Sequence, residues 1–164
     1  MAGTGPAGDS IGYQRYIDYV LHAEMLGFHG VFVVEHHFTG VGQVSASLNL
    51  LSYLAGRTSQ IRLGTAVVVL PWHNPALLAE QVATLDLLSG GRVDFGVGRG
   101  YHSREVESFG APVIDQNANR ELFEEQVEII FKSFRQESFS HKGKHYTLPP
   151  EVPYRGYTLK ELTL

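Results

Sequence analysis

Two stretches constrain the fold more than anything else in the chain: GVFVV at 30–34 and IRLGTAVVVLP at 61–71. Both are nearly continuous apolar runs without polar alternation, the pattern of strands buried on both faces. RVDFGVGRG at 92–100 reads as a third strand. Helical patterns fall between them. Tyr13, Ile17, Val20, Leu21 and Met25 recur at near-helical spacing from Ile11 to Leu26, with Gly27 as the stop. A second helix is expected from about Ser45 to Gly56. A third follows the second strand, with Asn74 as N-cap, Pro75 at the first helical position and Gly90 as the stop. Helix and strand alternate in this way in parallel βα units, whose sheets need cover on both faces. The expected architecture is therefore α/β, doubly wound or barrel-like. A further helix is expected from Arg120 to Phe134, then a small hairpin around Lys142-Gly143. The first ten residues, MAGTGPAGDS, read as a flexible lead-in, and no repeat or low-complexity tract is present.

Composition removes several function classes. The 164 residues carry 13 Lys and Arg against 17 Asp and Glu, a formal charge of −4, with no basic run. Nucleic acid and anionic membrane are therefore not expected as main partners, because phosphate recognition needs clustered cations. With no cysteine, disulfides, thiolate metal sites and cysteine nucleophiles are excluded. No signal-peptide pattern opens the chain, and no apolar run approaches the roughly 20 residues of a membrane helix. A soluble, cytoplasmic protein is expected.

The polar residues that stand out share a position. Glu35-His36-His37, the Pro71-Trp72-His73-Asn74 turn and Gly98-Arg99-Gly100-Tyr101-His102 each lie just past a strand's C-terminal end. Parallel α/β folds build their sites at that edge. Successive strand residues point to opposite sides, so one of His36 and His37 is expected to face a pocket and the other to pack outward. A structural role for each histidine, and a loop salt bridge for Arg99, are the plainer alternatives. GVGRGYHS does not make a dinucleotide fingerprint: Ser103 stands where the last glycine belongs. Small residues there let a flat ligand approach the backbone, and Arg99 offers charge to an anionic group. Glu35, His36, His37, His73 and His102 are possible metal ligands, but no His-x-His or His-x-x-x-His pair occurs among them, so no metal is expected. Without a Gly-x-Ser-x-Gly elbow, an α/β serine hydrolase is not expected.

VFVVEHHFTG, then LGTAVVVLPWHNPALLAEQVATLDLLSGGRVDFGVGRG, then R-x-x-FEEQVEII resembles the bacterial-luciferase-like flavin monooxygenases, over about Ala23 to Leu164. The resemblance implies a (β/α)8 barrel of the TIM type that binds reduced flavin mononucleotide at its C-terminal face and activates O₂. Flavin would come reduced from a separate reductase, and the barrel would carry no metal. By position, His36 matches the family's catalytic histidine, an acid/base beside the flavin. Glu35 lies next to the flavin site in relatives. The bond joining Ala66 and Val67 matches a non-proline cis peptide against the flavin ring. Arg99 and Arg120 match phosphate-binding arginines, Tyr101 matches a backbone contact, and Gly100 lies between them in the same segment. Gly98 stands where light-emitting members carry a reactive cysteine, so oxygenation without light emission is implied.

An intact barrel needs roughly 200 or more residues, so 1–164 is expected to be about the N-terminal half of one. It would belong to a larger polypeptide or be stabilised by self-association or a partner subunit. The function implied is monooxygenation of a small organic substrate. A deazaflavin-dependent oxidoreductase, a non-catalytic remnant that binds flavin weakly or pairs with a subunit, and a metal-dependent hydrolase barrel are the alternatives.

Overall fold

A computed structural model describes residues 6–38, 44–100, 105, 108–109, 116–149 and 160–163. They belong to two units, Met1–Val69 with Gln81–Val113, and Leu70–Glu80 with Ile114–Leu164. No helix among the described residues is long and apolar enough to cross a membrane.

The first unit opens with α1 (Pro6–Met25). Residues 6–10 are thus helical, not lead-in; proline is favoured in a first helical turn because its missing N–H has no partner there anyway. The helix stops as expected. Gly27 takes φ +80, Phe28 N–H donates to Ala23 C=O at 3.0 Å and Gly27 N–H to Glu24 C=O at 2.9 Å. β1 (Gly30–Val33), β2 (Arg62–Thr65) and β4 (Val93–Asp94) form a parallel sheet in the order β1-β2-β4. α2 (Ser47–Ala55) connects β1 to β2. β3 (Val68–Val69) and β5 (Val97–Gly98) pair in parallel beyond it. The second and third strands are therefore each broken in two, a correction to the continuous runs expected.

Val33, Leu50, Leu51, Leu54, Ile61, Leu63 and Leu85 are buried in one core cluster with Ile17 and Val20 of α1. The strand β1 was expected to be buried on both faces, yet Phe32 is 56% exposed. The reason lies in the register: Phe32 pairs with Gly64, which pairs with Asp94. That face presents the Phe32 ring beside the Arg62–Asp94 ion pair (2.6 Å), and no layer among the described residues of this unit covers it. Asp94 is held below the usual carboxylate range by the hydrogen bond from the Arg62 guanidinium. α3 (Pro75–Ser89) runs to β4 and ends on Gly90 at φ +72, where Gly91 N–H donates to Asp86 C=O at 2.9 Å.

One carboxylate ties α1 to the approach of β2. Glu24 Oε1 accepts the N–H groups of Ser59, Gln60 and Ile61 at 2.8, 2.6 and 2.9 Å. Burial raises the Glu24 carboxyl, but these three donors outweigh it and the net direction is down. A depressed folded value means stability that is present above the ordinary carboxylate pKa and lost as pH falls through the folded one. Glu24→Gln is expected to cost about 1–3 kcal/mol at neutral pH. The difference from wild type shrinks below about pH 4, which urea unfolding midpoints at the two pH values check.

The second unit has α4 (Gln116–Arg135) and two short antiparallel pairs. β6 (Ser138–Phe139) pairs with β9 (Leu162–Thr163), and β7 (His141–Lys142) with β8 (Thr147–Leu148). The hairpin expected around Lys142-Gly143 is the second of these. Its turn is anchored from α4 by Glu125, which accepts the N–H groups of Lys144, His145 and Tyr146 at 3.1, 2.9 and 2.8 Å. Asn74 caps α3 as expected, its Oδ1 accepting Ala76 and Leu77 N–H, both at 3.1 Å. Buried Gln126 donates from Nε2 to Leu70 C=O and His73 C=O, both at 2.9 Å, and so fixes the Leu70–Trp72 turn that follows β3.

Candidate functional site

At the C-terminal ends of the first unit's strands lies a cleft of about 390 Å³. Its apolar wall includes Val34 and Val69. Its polar groups are Glu35, His36, Arg99 and Glu105, and Ala66, Val67, Gly98 and Gly100 supply close backbone. The volume lies within the range of small-molecule sites, roughly 300–1,000 Å³.

Both breaks in the strands serve this cleft. β2 ends at Thr65, the Ala66–Val67 peptide is cis as the resemblance implies, and β3 resumes at Val68. Thr65 Oγ1 donates to Gly96 C=O at 2.7 Å and accepts Gly96 N–H at 2.9 Å. Val68 N–H donates to Gly96 C=O at 2.9 Å, so the pairing restarts on the far side.

The three residues after β1 separate by role. Glu35 is buried; its Oε2 accepts Val69 N–H at 2.6 Å and its Oε1 lies 3.2 Å from His37 Nε2. Glu35 thus clamps the end of β1 to β3 while forming part of the cleft wall. His37 packs edge-on against Phe109, with ring centroids 4.8 Å apart, and is not among the cleft residues. His36 is among them, with a side chain about one-third exposed. The divergence expected of adjacent strand-end histidines is present.

Arg99 is exposed at the cleft and forms no ion pair among the described residues; most of the loop that the salt-bridge alternative concerns lies outside them. Gly100 follows at φ +70. Tyr101 and His102 lie outside the described residues. Arg120 is not among the cleft residues: it belongs to the second unit, exposed on α4, with Nε 2.7 Å from Glu124 Oε1. His73 also belongs to the second unit, and no three described residues cluster as metal ligands.

Glu105 was not singled out from sequence. It is 2% exposed, and its Oε1 accepts His37 N–H at 2.8 Å and lies 3.3 Å from His36 Nδ1. The available signal was slight: an acid a few residues past the third strand, in YHSREVES, with no periodicity to mark it.

The chain as a whole resembles known proteins. The family model described as luciferase-like monooxygenase matches residues 1–157. Limonene 1,2-monooxygenase of Rhodococcus erythropolis is 34% identical over 131 residues, 80% of this chain and 33% of that protein. Solved structures share the fold, and two of them illustrate it. One is the oxygenating constituent of 3,6-diketocamphane monooxygenase from Pseudomonas putida in complex with FMN, with a TM-score of 0.81 at 22% identity, covering 97% of this chain and 44% of that one. The other is an F420-dependent secondary alcohol dehydrogenase, with a TM-score of 0.71 at 22% identity, covering 82% of this chain and 42% of that one. The chain spans 33–40% of the length of the curated relatives it matches most strongly. Its parallel strands and helices are those of an incomplete α/β barrel, and the chain belongs to the luciferase-like monooxygenase family.

Proposed function

We propose that this chain supplies the histidine-bearing edge of a reduced-flavin-mononucleotide site in a monooxygenase acting on a small organic substrate. The observation that carries the reading is the cleft itself, which joins His36, the Ala66–Val67 cis peptide and the Gly98-Arg99-Gly100 segment. These residues fit a flat, anionic cofactor. Val34, Val67 and Val69 offer apolar contact, Gly98 and Gly100 keep the backbone open, and Arg99 offers a guanidinium for a phosphate. Reduced flavin, delivered by a separate reductase, supplies the two electrons with which one oxygen atom of O₂ enters the substrate and the other leaves as water.

His36 is the proton-transfer group, since an imidazole can both accept and donate a proton and the ring lines the cleft. Glu35 holds the cleft wall through Val69, and Arg99 binds the cofactor's phosphate. Oligomerisation and a reductase partner belong to the complete protein.

Anaerobic titration of the chain with reduced and oxidised flavin mononucleotide tests this. Binding is expected, and Arg99→Ala weakens it about 10–100-fold, the worth of a charge-assisted contact. Riboflavin, which lacks the phosphate, is affected far less. Equal losses for both ligands would remove Arg99 from phosphate recognition. Absence of flavin binding by the folded chain favours the non-catalytic, subunit-pairing role. A deazaflavin is the second reading, supported by the fold shared with the F420-dependent dehydrogenase. Substrate-dependent O₂ consumption with reduced flavin mononucleotide separates the two.

A further inference from the structure

We propose that Glu105 is the positioning residue for His36: it holds the imidazole as its Nδ1–H tautomer and leaves Nε2 as the nitrogen that accepts a proton. The inference rests on the flavin reading for what His36 does in turnover, but the tautomer assignment stands on the geometry alone.

Glu105 is 2% exposed. A carboxylate so deeply buried is costly unless donors face it. Two groups face its Oε1: the His37 backbone N–H at 2.8 Å and His36 Nδ1 at 3.3 Å. The first is a donor whatever the histidines do, so it fixes where the oxygen sits. That oxygen already accepts a backbone N–H, so it acts as an acceptor toward the ring as well, and the imidazole nitrogen beside it carries the hydrogen. In a neutral ring that makes Nε2 the basic nitrogen.

The neighbouring histidine shows that the contact is specific. His37 has its own acid, with Nε2 3.2 Å from Glu35 Oε1, and the other Glu35 oxygen takes Val69 N–H at 2.6 Å. The two carboxylates are therefore divided between the two rings: Glu35 serves His37 and β3, and Glu105 serves His36. The two rings meet their acids through opposite nitrogens, Nδ1 in His36 and Nε2 in His37. His37 is committed to its packing against Phe109, whereas His36 lines the cleft. Glu105 reaches His36 across 69 positions of sequence, so the tautomer is set by the fold and not by the local Glu-His-His segment.

Long-range ¹H–¹⁵N correlation spectra of the histidine-labelled chain, at a pH where the rings are neutral, read the tautomer directly. The His36 signals are expected to show the Nδ1–H pattern in the wild type. Glu105→Ala removes the acceptor, and the pattern is expected to invert to Nε2–H. Glu105→Gln keeps an accepting oxygen and is expected to retain Nδ1–H. A wild-type His36 in the Nε2–H form, or an unchanged pattern in Glu105→Ala, would overturn the proposal. Should Glu105→Ala fail to fold, the wild-type spectrum still carries the first of these outcomes. Failure to bind flavin would overturn the cofactor reading and leave the spectra unchanged, so the two failures are distinct.

Discussion

Replacing His36 with alanine is expected to lower oxygenation by about 10²–10⁴-fold, the usual worth of a positioned general acid/base. Affinity for flavin mononucleotide should stay within about threefold of wild type, because little binding energy is attributed to this ring (about 0.6 kcal/mol at most). The prediction follows from where the ring sits. His36 lines the cleft beside Ala66 and Val67, with its Nδ1 turned to a buried acid. Turnover measured with chemically reduced flavin, together with an anaerobic binding titration, separates the two effects. Unchanged turnover would take His36 out of the mechanism. A parallel fall in affinity would make it a binding residue. His37→Ala is the informative contrast: its ring is engaged by Glu35 and Phe109. Its loss acts on the folded state, read as a lower melting temperature, more than on the proton-transfer step.

The residues that were legible in sequence are those whose roles follow from local pattern. The apolar runs at 30–34 and 61–71 announced parallel strands, and Gly27, Asn74 and Gly90 announced helix ends that the structure shows hydrogen bond by hydrogen bond. Alternation along a strand was enough to send His36 and His37 to different environments. The resemblance located the cis bond between Ala66 and Val67, which no propensity argument could have found.

What was not legible depends on partners far away in sequence. The breaks after Thr65 and Asp94 arise because Thr65 and Gly96 bond to each other across 31 positions. An apolar run carries no mark of where its ladder will be interrupted. Glu105 and Gln126 read as ordinary polar residues of a loop and a helix. Each becomes important only through contacts 69 and 56 positions distant. Phe32 misled in the opposite sense. Its apolar character suggested cover on both sides, but cover comes from neighbouring layers, and the described residues of this unit do not place one over it.

Gly96 is where the second large effect is expected, on stability. A Cβ there would stand 2.2 Å from the Thr65 carbonyl oxygen, a backbone atom with no rotamer to escape into. Relief requires moving the β2 end away from residue 96. That motion breaks the reciprocal Thr65–Gly96 hydrogen bonds at 2.7 and 2.9 Å and strains the Val68 N–H to Gly96 C=O bond at 2.9 Å. Gly96→Ala is therefore expected to cost about 3–4 kcal/mol, at the upper end of single-substitution effects. For a chain of this size that lowers the melting temperature by about 6–16 °C. Gly98→Ala meets a different neighbour, the Val67 Cγ2 atom at 2.4 Å. A side-chain methyl can rotate away, so the stability loss should be smaller, about 1–2 kcal/mol. The displaced Val67 then changes the cleft wall and weakens flavin binding instead. Calorimetry and flavin titration on the two variants should show these opposite profiles. Equal stability losses would mean that the Thr65–Gly96 contact does not hold the strand break, and that the cleft is shaped elsewhere.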